Sequence, residues 1–318
     1  MLSNITGLAE AVGIDYECKS TRLQLPWKVL PLDLIPRAAT VITTPEILDE
    51  APPPRLVLSC GRHGVIPALY LKKKLGDQVL VVQIQNPRLD PAQFDLVIAP
   101  RHDDVCGTNV IRTIGALHNI TAEQLDRERQ SDLARHINPT GQPLATVLIG
   151  GPTSMYRYSR DNIDLFIAKL NSICYKHDAK LAIIPSNRTP TAICRQLTTA
   201  FADEHFVWDR KSTNPYIAAL AVAQHIIVTG DSVSMITEAA STGKPVFVEH
   251  PWSTRHDDRI GQFHEMLQQD GITRPFEGRL IEWTYDPPND MPRVARIVRE
   301  RMGLDEPLAR TAKHNTAA

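Results

Sequence analysis

Residues 228–248 read VTGDSVSMITEAASTGKPVFV, and this stretch decides the fold. It leaves an apolar run at residues 225–229, turns at Gly230, and passes through a segment of helical periodicity at 234–241. It then re-enters an apolar run at 245–248. Two short apolar runs joined by a helix form a β–α–β unit, and such units in series build a parallel sheet. Gly230 allows a tight turn, and Asp231, Ser232 and Ser234 open the helix, with Ser232 or Ser234 able to cap it.

Working outward, the same beat continues on both sides. Toward the N-terminus of the second half, strands are expected at 144–149, 180–184 and 205–208, with helices at 161–176, 190–201 and 216–223. Beyond residue 248, helices are expected at 259–269 and, after the Pro287–Pro288 turn, at 290–302. In the first half, strands are expected at 55–60, 78–83 and 94–99. Helices are expected at 66–75 and at 122–135 behind Thr121 as cap. The strands read as continuous apolar runs, as in a parallel sheet covered on both faces. The turn-rich INPTGQP at 137–143 marks a domain boundary, with domains at 1–140 and 141–288 and a final helix and tail at 289–318. The fold class is therefore α/β, with doubly wound Rossmann-like sheets.

Bulk properties narrow the class of function. The 318 residues are 42% hydrophobic and 22% charged, the balance of a folded globular chain, with a net charge of −1. A near-neutral chain has no global field for nucleic acid, so a nucleic-acid partner is not expected. Five cysteines without a CxxC pair suit a reducing compartment and give no zinc spacing. Without a bilayer-length apolar run or an N-terminal signal pattern, the reading is cytoplasmic. The four arginines Arg293, Arg296, Arg299 and Arg301 fit a solvated helix face, so any membrane contact is expected to be peripheral.

In doubly wound sheets ligands collect at the carboxyl ends of the strands. Four loops there carry candidate chemistry. At 229–238, Asp231, Ser232 and Ser234 at a helix start suit phosphate, Glu238 one turn beyond Ser234 suits a ribose diol, and Met235 lies between them. The alternative is a capped helix with Glu238 on the surface. The loop 150–160, GGPTSMYRYSR, offers Gly150 and Gly151 for close approach, Thr153 and Ser154 as donors, and Arg157 or Arg160 as cations. The loop 185–190, PSNRTP, offers Ser186, Arg188 and Thr189 as an anion clamp. The loop 209–216, DRKSTNPY, places Asn214 and Tyr216 where a base edge and face could be received. Taken singly, each loop reads equally well as turn and cap chemistry; four on one sheet edge favour a nucleotide site.

In the first half, CGRHGVIP at 60–67 is another strand–glycine–helix junction. PRHDDVCGTN at 100–109 holds His102 beside Asp103 and Asp104, the candidate general base. A loop histidine without such a role is the competing reading. The run HDDR at 256–259 reads as a helix start, and no ligand spacing for a metal is present. GxSxG, HExxH and GxxxxGK[ST] do not occur.

The stretch 228–248 resembles the donor-site segment of GT-B glycosyltransferases. It more closely resembles that of the mitochondrial-fission Elm-type family, whose bacterial members are grouped with glycosyltransferases. GLAEAVG at 7–13, the stretches 82–103 and 107–121, IGGPTS at 149–154, PSNRTP at 185–190 and NPYIAAL at 214–220 extend the resemblance over nearly the whole chain. It implies two Rossmann-like domains facing across a cleft, the last helix returning to the first. It also implies a nucleoside-diphosphate sugar bound in the second domain with no obligatory metal or other cofactor. By position in the motif, Ser232 and Ser234 would meet phosphate and Glu238 ribose, with Gly150, Gly151, Thr153, Ser186 and Arg188 lining the crevice. Relatives usually carry a strand and a Gly-rich loop ahead of the GLAEA-like helix. Only six residues precede Gly7 here, so the first strand is expected to be missing, by truncation or by loss. Three functions follow: glycosyl transfer to an envelope glycan or lipid precursor, a non-catalytic interaction protein on the same scaffold, or a nucleotide-sugar epimerase. For transfer, His102 or Asp103 would be the base.

Overall fold

The computed structural model describes residues 2–49, 51–153, 155–250 and 259–304, with the backbone of 252, 253 and 258. Ser154, His256 and Asp257, and the side chain of Asp258, lie outside the described residues.

In chain order the elements begin with α1 (Leu2–Val12), β1 (Leu56–Cys60), α2 (Gly61–Leu75), β2 (Leu80–Ile84), β3 (Leu96–Pro100) and β4 (Val110–Thr113). Next come α3 (Ala122–Arg129), α4 (Asp132–Ile137), β5 (Leu144–Ile149), β6 (Tyr156–Arg157), α5 (Arg160–His177), β7 (Lys180–Pro185) and α6 (Thr191–Phe201). Then follow β8 (Phe206–Val207), α7 (Tyr216–Val222), β9 (His225–Thr229), α8 (Val233–Ala240), β10 (Val246–Glu249) and β11 (Trp252–Ser253). The last are α9 (Asp258–Gln269), β12 (Thr273–Pro275) and α10 (Met291–Arg301). The described chain falls into two compact units. The first comprises segments within 1–99, 105–111 and the chain from 290; the second comprises 100–104 and 112–289.

The first unit carries the sheet β1-β2-β3-β4, with β1, β2 and β3 parallel. Helix α10 belongs to this unit, packs on α1 and buries Met291, Val294, Ala295 and Val298. Three of its four arginines are engaged: Arg293 with Asp290, Arg296 with Glu300, and Arg299 donating to the Val12 carbonyl. Helix α2 starts at Gly61, five residues before the expected start at Ile66. The Pro67 inside it forfeits one backbone bond without ending the helix.

The second unit carries the sheet β12-β10-β9-β5-β7-β8, parallel throughout. Strand side chains alternate between faces, and here both faces are dry. Leu144, Leu148, Ala182, Ile226, Val228, Val246 and Val248 join the core under α3, α4, α7, α8 and α9. Ala145, Val147, Ile149, Leu181, Ile183, Ile227 and Phe247 join the core under α5 and α6. Thr146 is buried on the first face because its hydroxyl donates to the Ala219 carbonyl at 2.7 Å. The expected helix 122–135 is two helices, since Ser131 accepts from the Ala134 N–H and starts α4 afresh. These helices pack on α7, so the turn-rich 137–143 lies inside the second unit. Among the described residues, no helix is long and apolar enough to cross a membrane.

Candidate functional site

Three adjacent parallel strands of the second unit, β7, β5 and β9, deliver their carboxyl-end loops to one place. At its centre is Asp231, whose side chain is wholly buried. Its Oδ2 accepts from the Gly151 N–H at 2.9 Å and from Arg188 Nη2 at 3.0 Å. Its Oδ1 accepts from Thr229 Oγ1 at 2.7 Å and from the Tyr158 hydroxyl. Four donors compensate the buried carboxylate and tie the three loops together. The Gly150 N–H donates to Thr229 Oγ1 at 2.8 Å and extends the network to β5.

The glycines are dictated by this packing. A Cβ on Gly150 would fall within the Asp231 carboxylate, and one on Gly151 within the Arg188 backbone. Thr189 Oγ1 donates to the Gly150 carbonyl at 2.5 Å, and Arg210 Nη1 donates to the Thr189 carbonyl at 2.8 Å, which fixes the 185–190 turn. Arg188 is held on two nitrogens, Nη2 by Asp231 and Nη1 by the Gly151 carbonyl at 3.5 Å, while its side chain remains 47% exposed, so the guanidinium keeps a set orientation at the surface.

At the start of α8, Ser232 Oγ accepts from the Met235 N–H at 3.4 Å and is the cap. Ser234 and Met235 are partly buried one turn in. The Gly230 carbonyl accepts from His264 Nε2 at 2.9 Å, so Nε2 carries the proton. A trans peptide holds C=O and N–H on opposite sides, so pinning this carbonyl turns the Asp231 N–H away from His264. His264 is 4% exposed, and its ring meets His250 edge-on at 4.7 Å. Burial, helped by the neighbouring His250, pulls the His264 pKa down to about 4 and keeps the ring neutral.

Glu238 and Tyr216 form a pair, the Tyr216 hydroxyl donating to Glu238 Oε2 at 2.5 Å. Burial raises the Glu238 carboxyl above its ordinary range, with the tyrosine bond opposing. Asn214 accepts from the Tyr216 N–H at 3.1 Å and shapes the turn into α7. Thr153 Oγ1 accepts from the N–H groups of Met155 and Tyr156, and Ser186 Oγ accepts from the Arg188 N–H at 3.2 Å.

The structure therefore brings Gly150, Gly151, Ser186, Arg188 and Asp231 into one cluster. It gives Asp231 a bracing place in that cluster, where sequence reasoning expected a ligand contact, because four donors already occupy the carboxylate. His102 and Asp103, expected as bases, lie just beyond β3 and make contacts within the second unit. His102 is 8% exposed with its ring 4.9 Å from that of Phe263, and Asp103 lies 3.8 Å from Arg259 Nη1. Sequence reasoning missed Thr229, Tyr158 and His264. The Thr-x-Asp pattern at the end of β9 was a usable signal for the first; the other two are set by tertiary packing. Among the described residues, no three His, Cys, Asp or Glu side chains converge as a metal-ligand set.

With this geometry in place, comparison with known proteins gives the family. The family model for mitochondrial fission ELM1 matches residues 1–302. The chain belongs to the mitochondrial fission ELM1 family. It is 32% identical over 282 residues to the mitochondrial fission protein ELM1 of Arabidopsis thaliana, covering 78% of this chain and 64% of that one. The chain thus spans just under two thirds of the plant relative's length. It is 31% identical over 303 residues to an uncharacterized protein of Rickettsia prowazekii (strain Madrid E), covering 82% and 83% of the two chains. Among solved structures it is similar to the UDP-GlcNAc 2-epimerase of Neisseria meningitidis bound to UDP-GlcNAc. The TM-score is 0.50 and the identity 15%, over 95% of this chain and 89% of that one. At that identity the likeness shows a shared fold of the GT-B type.

Proposed function

We propose that this ELM1-family member binds a nucleoside-diphosphate sugar in its second unit and transfers the glycosyl group to an acceptor hydroxyl. The observation that carries the reading is the braced Arg188. A buried carboxylate fixes one side of the guanidinium beside two obligate glycines, next to the Ser232-capped start of α8. A diphosphate placed there would meet a pre-oriented cation and a helix N-terminus, which stabilise negative charge as it grows on a leaving group. Glu238 beside Tyr216 supplies a carboxylate for the ribose. The UDP-GlcNAc held by the Neisseria epimerase, on a shared fold, supports the ligand class.

A second reading keeps the ligand and drops the transfer. It is supported by the burial of His102 and by the approach of Asp103 to Arg259 at 3.8 Å, contacts that do not depend on an acceptor.

Thermal-shift titration with UDP, GDP, CMP, ADP and their sugars tests the ligand. At about 100 times its dissociation constant a ligand adds roughly 2.7 kcal/mol, a shift of a few degrees. The shift should be lost in Arg188→Ala. A folded protein that shifts with none of these ligands overturns the proposal. A shift without hydrolysis or transfer of the bound sugar selects the second reading.

A further inference from the structure

In the first unit, the segment following α1 exposes apolar side chains that the fold could have buried. Leu25, Val29 and Leu34 are 74%, 73% and 62% exposed. Their neighbours Leu23, Leu32 and Ile35 are buried in the core of the unit, so the segment is anchored by one set of leucines and presents another. The presentation is rigidly held. The Leu23 N–H donates to His63 Nδ1 at 3.2 Å, and Arg62 donates to the carbonyls of Trp27 and Leu30. Turns closed by Lys28 N–H to Gln24 O and Val29 N–H to Pro26 O fix the loop between them.

Cations flank the apolar residues. Arg22 and Lys28 are exposed and, among the described residues, neither has an ion-pair partner. Both stand close enough to His63 to lower its pKa, as Arg62 does, after the larger effect of burial. The helix beside them, α2, starts without a side-chain cap and has no acidic residue in its first turn. Arg22 and Lys28 thus stand beside the protruding Leu25 and Val29, outnumbering the one exposed carboxylate of the segment, Asp33 next to Leu34, on a chain whose net charge is −1.

We infer that the loop carrying Leu25, Val29 and Leu34, flanked by Arg22 and Lys28, docks this protein on an anionic lipid bilayer. Exposed apolar side chains lose contact with water by entering the headgroup boundary, and unpaired cations gain from the negative surface potential. A water-facing loop gains from neither feature, and an apolar interface between two copies would bring like charges together. The contact lies on a loop, which is why no amphipathic helix announces it in the sequence.

Sedimentation of the full chain with phosphatidylcholine vesicles, with and without phosphatidylserine, tests the inference. Binding is expected on the anionic vesicles and to weaken with salt. Arg22→Gln with Lys28→Gln should lower the partition constant about thirtyfold, near fivefold per charge. Leu25→Ser and Val29→Ser should each lower it roughly tenfold. All four changes are on exposed side chains, and unchanged thermal melting verifies that the variants fold. Equal sedimentation of wild type and variants overturns the inference, as does its absence on anionic vesicles. Light scattering that shows a dimer dissociated by Leu25→Ser would also overturn it and assign the patch to a second copy.

Discussion

Two strand-to-helix junctions, one in each unit, share a topology and differ in how charge is handled. At β9–α8 the turn carries Asp231, which four donors saturate, and Ser232 caps the helix. At β1–α2 the helix follows Cys60 with no side-chain cap and no acidic residue, and Arg62 and His63 open it. The first junction is a braced frame that aims one guanidinium. The second uses its polar groups to hold the 23–30 loop, and among the described residues Arg22 and Lys28 have no ion-pair partner. The contrast teaches that a parallel-sheet turn offers only a location. Whether it becomes a rigid anion seat or an adhesive surface depends on whether a buried carboxylate cross-links it.

Removing that carboxylate breaks the contrast most directly. Asp231→Ala leaves Arg188, Tyr158, Thr229 and the Gly151 N–H without their acceptor, and should cost about 4 kcal/mol. Calorimetry should show a melting temperature lowered by roughly ten degrees. A variant as stable as wild type would mean that the loops are held independently of one another.

The glycines of the two junctions sharpen the comparison. Gly150→Ala forces a methyl into the Asp231 carboxylate and should cost about 3 kcal/mol. Gly64→Ala, inside α2, meets the Ser59 Cβ at 3.1 Å, a contact that small shifts relieve. Its helix-propensity gain of about 1 kcal/mol offsets that crowding, so near-neutrality is expected. Chemical denaturation of both variants decides the point, and equal costs would dissolve the distinction between the frames.

His264 gives the braced junction a pH dependence. Its folded pKa of about 4 lies below the 6.5 of the free side chain, so the unfolded chain takes up a proton first as pH falls. The stability it contributes is whole above pH 6.5 and is lost as pH drops toward 4. By pH 5 about 2 kcal/mol should be gone. His264→Gln keeps a donor for the Gly230 carbonyl and cannot titrate. Its stability should therefore fall less between pH 7 and pH 5 than that of the wild type; parallel curves would place the titrating group elsewhere.

The second sheet was legible because short apolar runs such as 144–149 and 225–229, bounded by turn residues, read as strands dry on both faces, and their bounds match β5 and β9. The candidate loops were legible as positions, since strand ends and glycines fix them. The division of labour inside them was not. Asp231 at a helix start reads as a ligand-facing polar residue, and only the approach of Tyr158 and Arg188 from other loops shows it saturated. His102 beside two aspartates reads as a base, and its ring contact with Phe263, far along the chain, is invisible in that reading. Exposure of Leu25 and Val29 is likewise invisible in a segment whose leucines alternate between core and surface.

The smallest effect separates stability from function at the Tyr216–Glu238 pair. Burial raises the Glu238 pKa, so the folded state holds its proton longer than the unfolded chain does. The resulting stabilisation is present at low pH and is lost as pH rises from the unfolded value through the raised folded one. At neutral pH the buried charge is therefore a cost. Glu238→Gln still accepts from the Tyr216 hydroxyl and removes that cost, so it should be more stable than the wild type at pH 7, with a smaller gain at pH 4. If Glu238 receives a ribose diol, the same variant should bind nucleotide about tenfold more weakly, because a charged acceptor is replaced by a neutral one. Gain of stability with loss of affinity is the pattern of a residue kept for its ligand. Gain of stability with unchanged affinity would return Glu238 to the packing of α8 against α7.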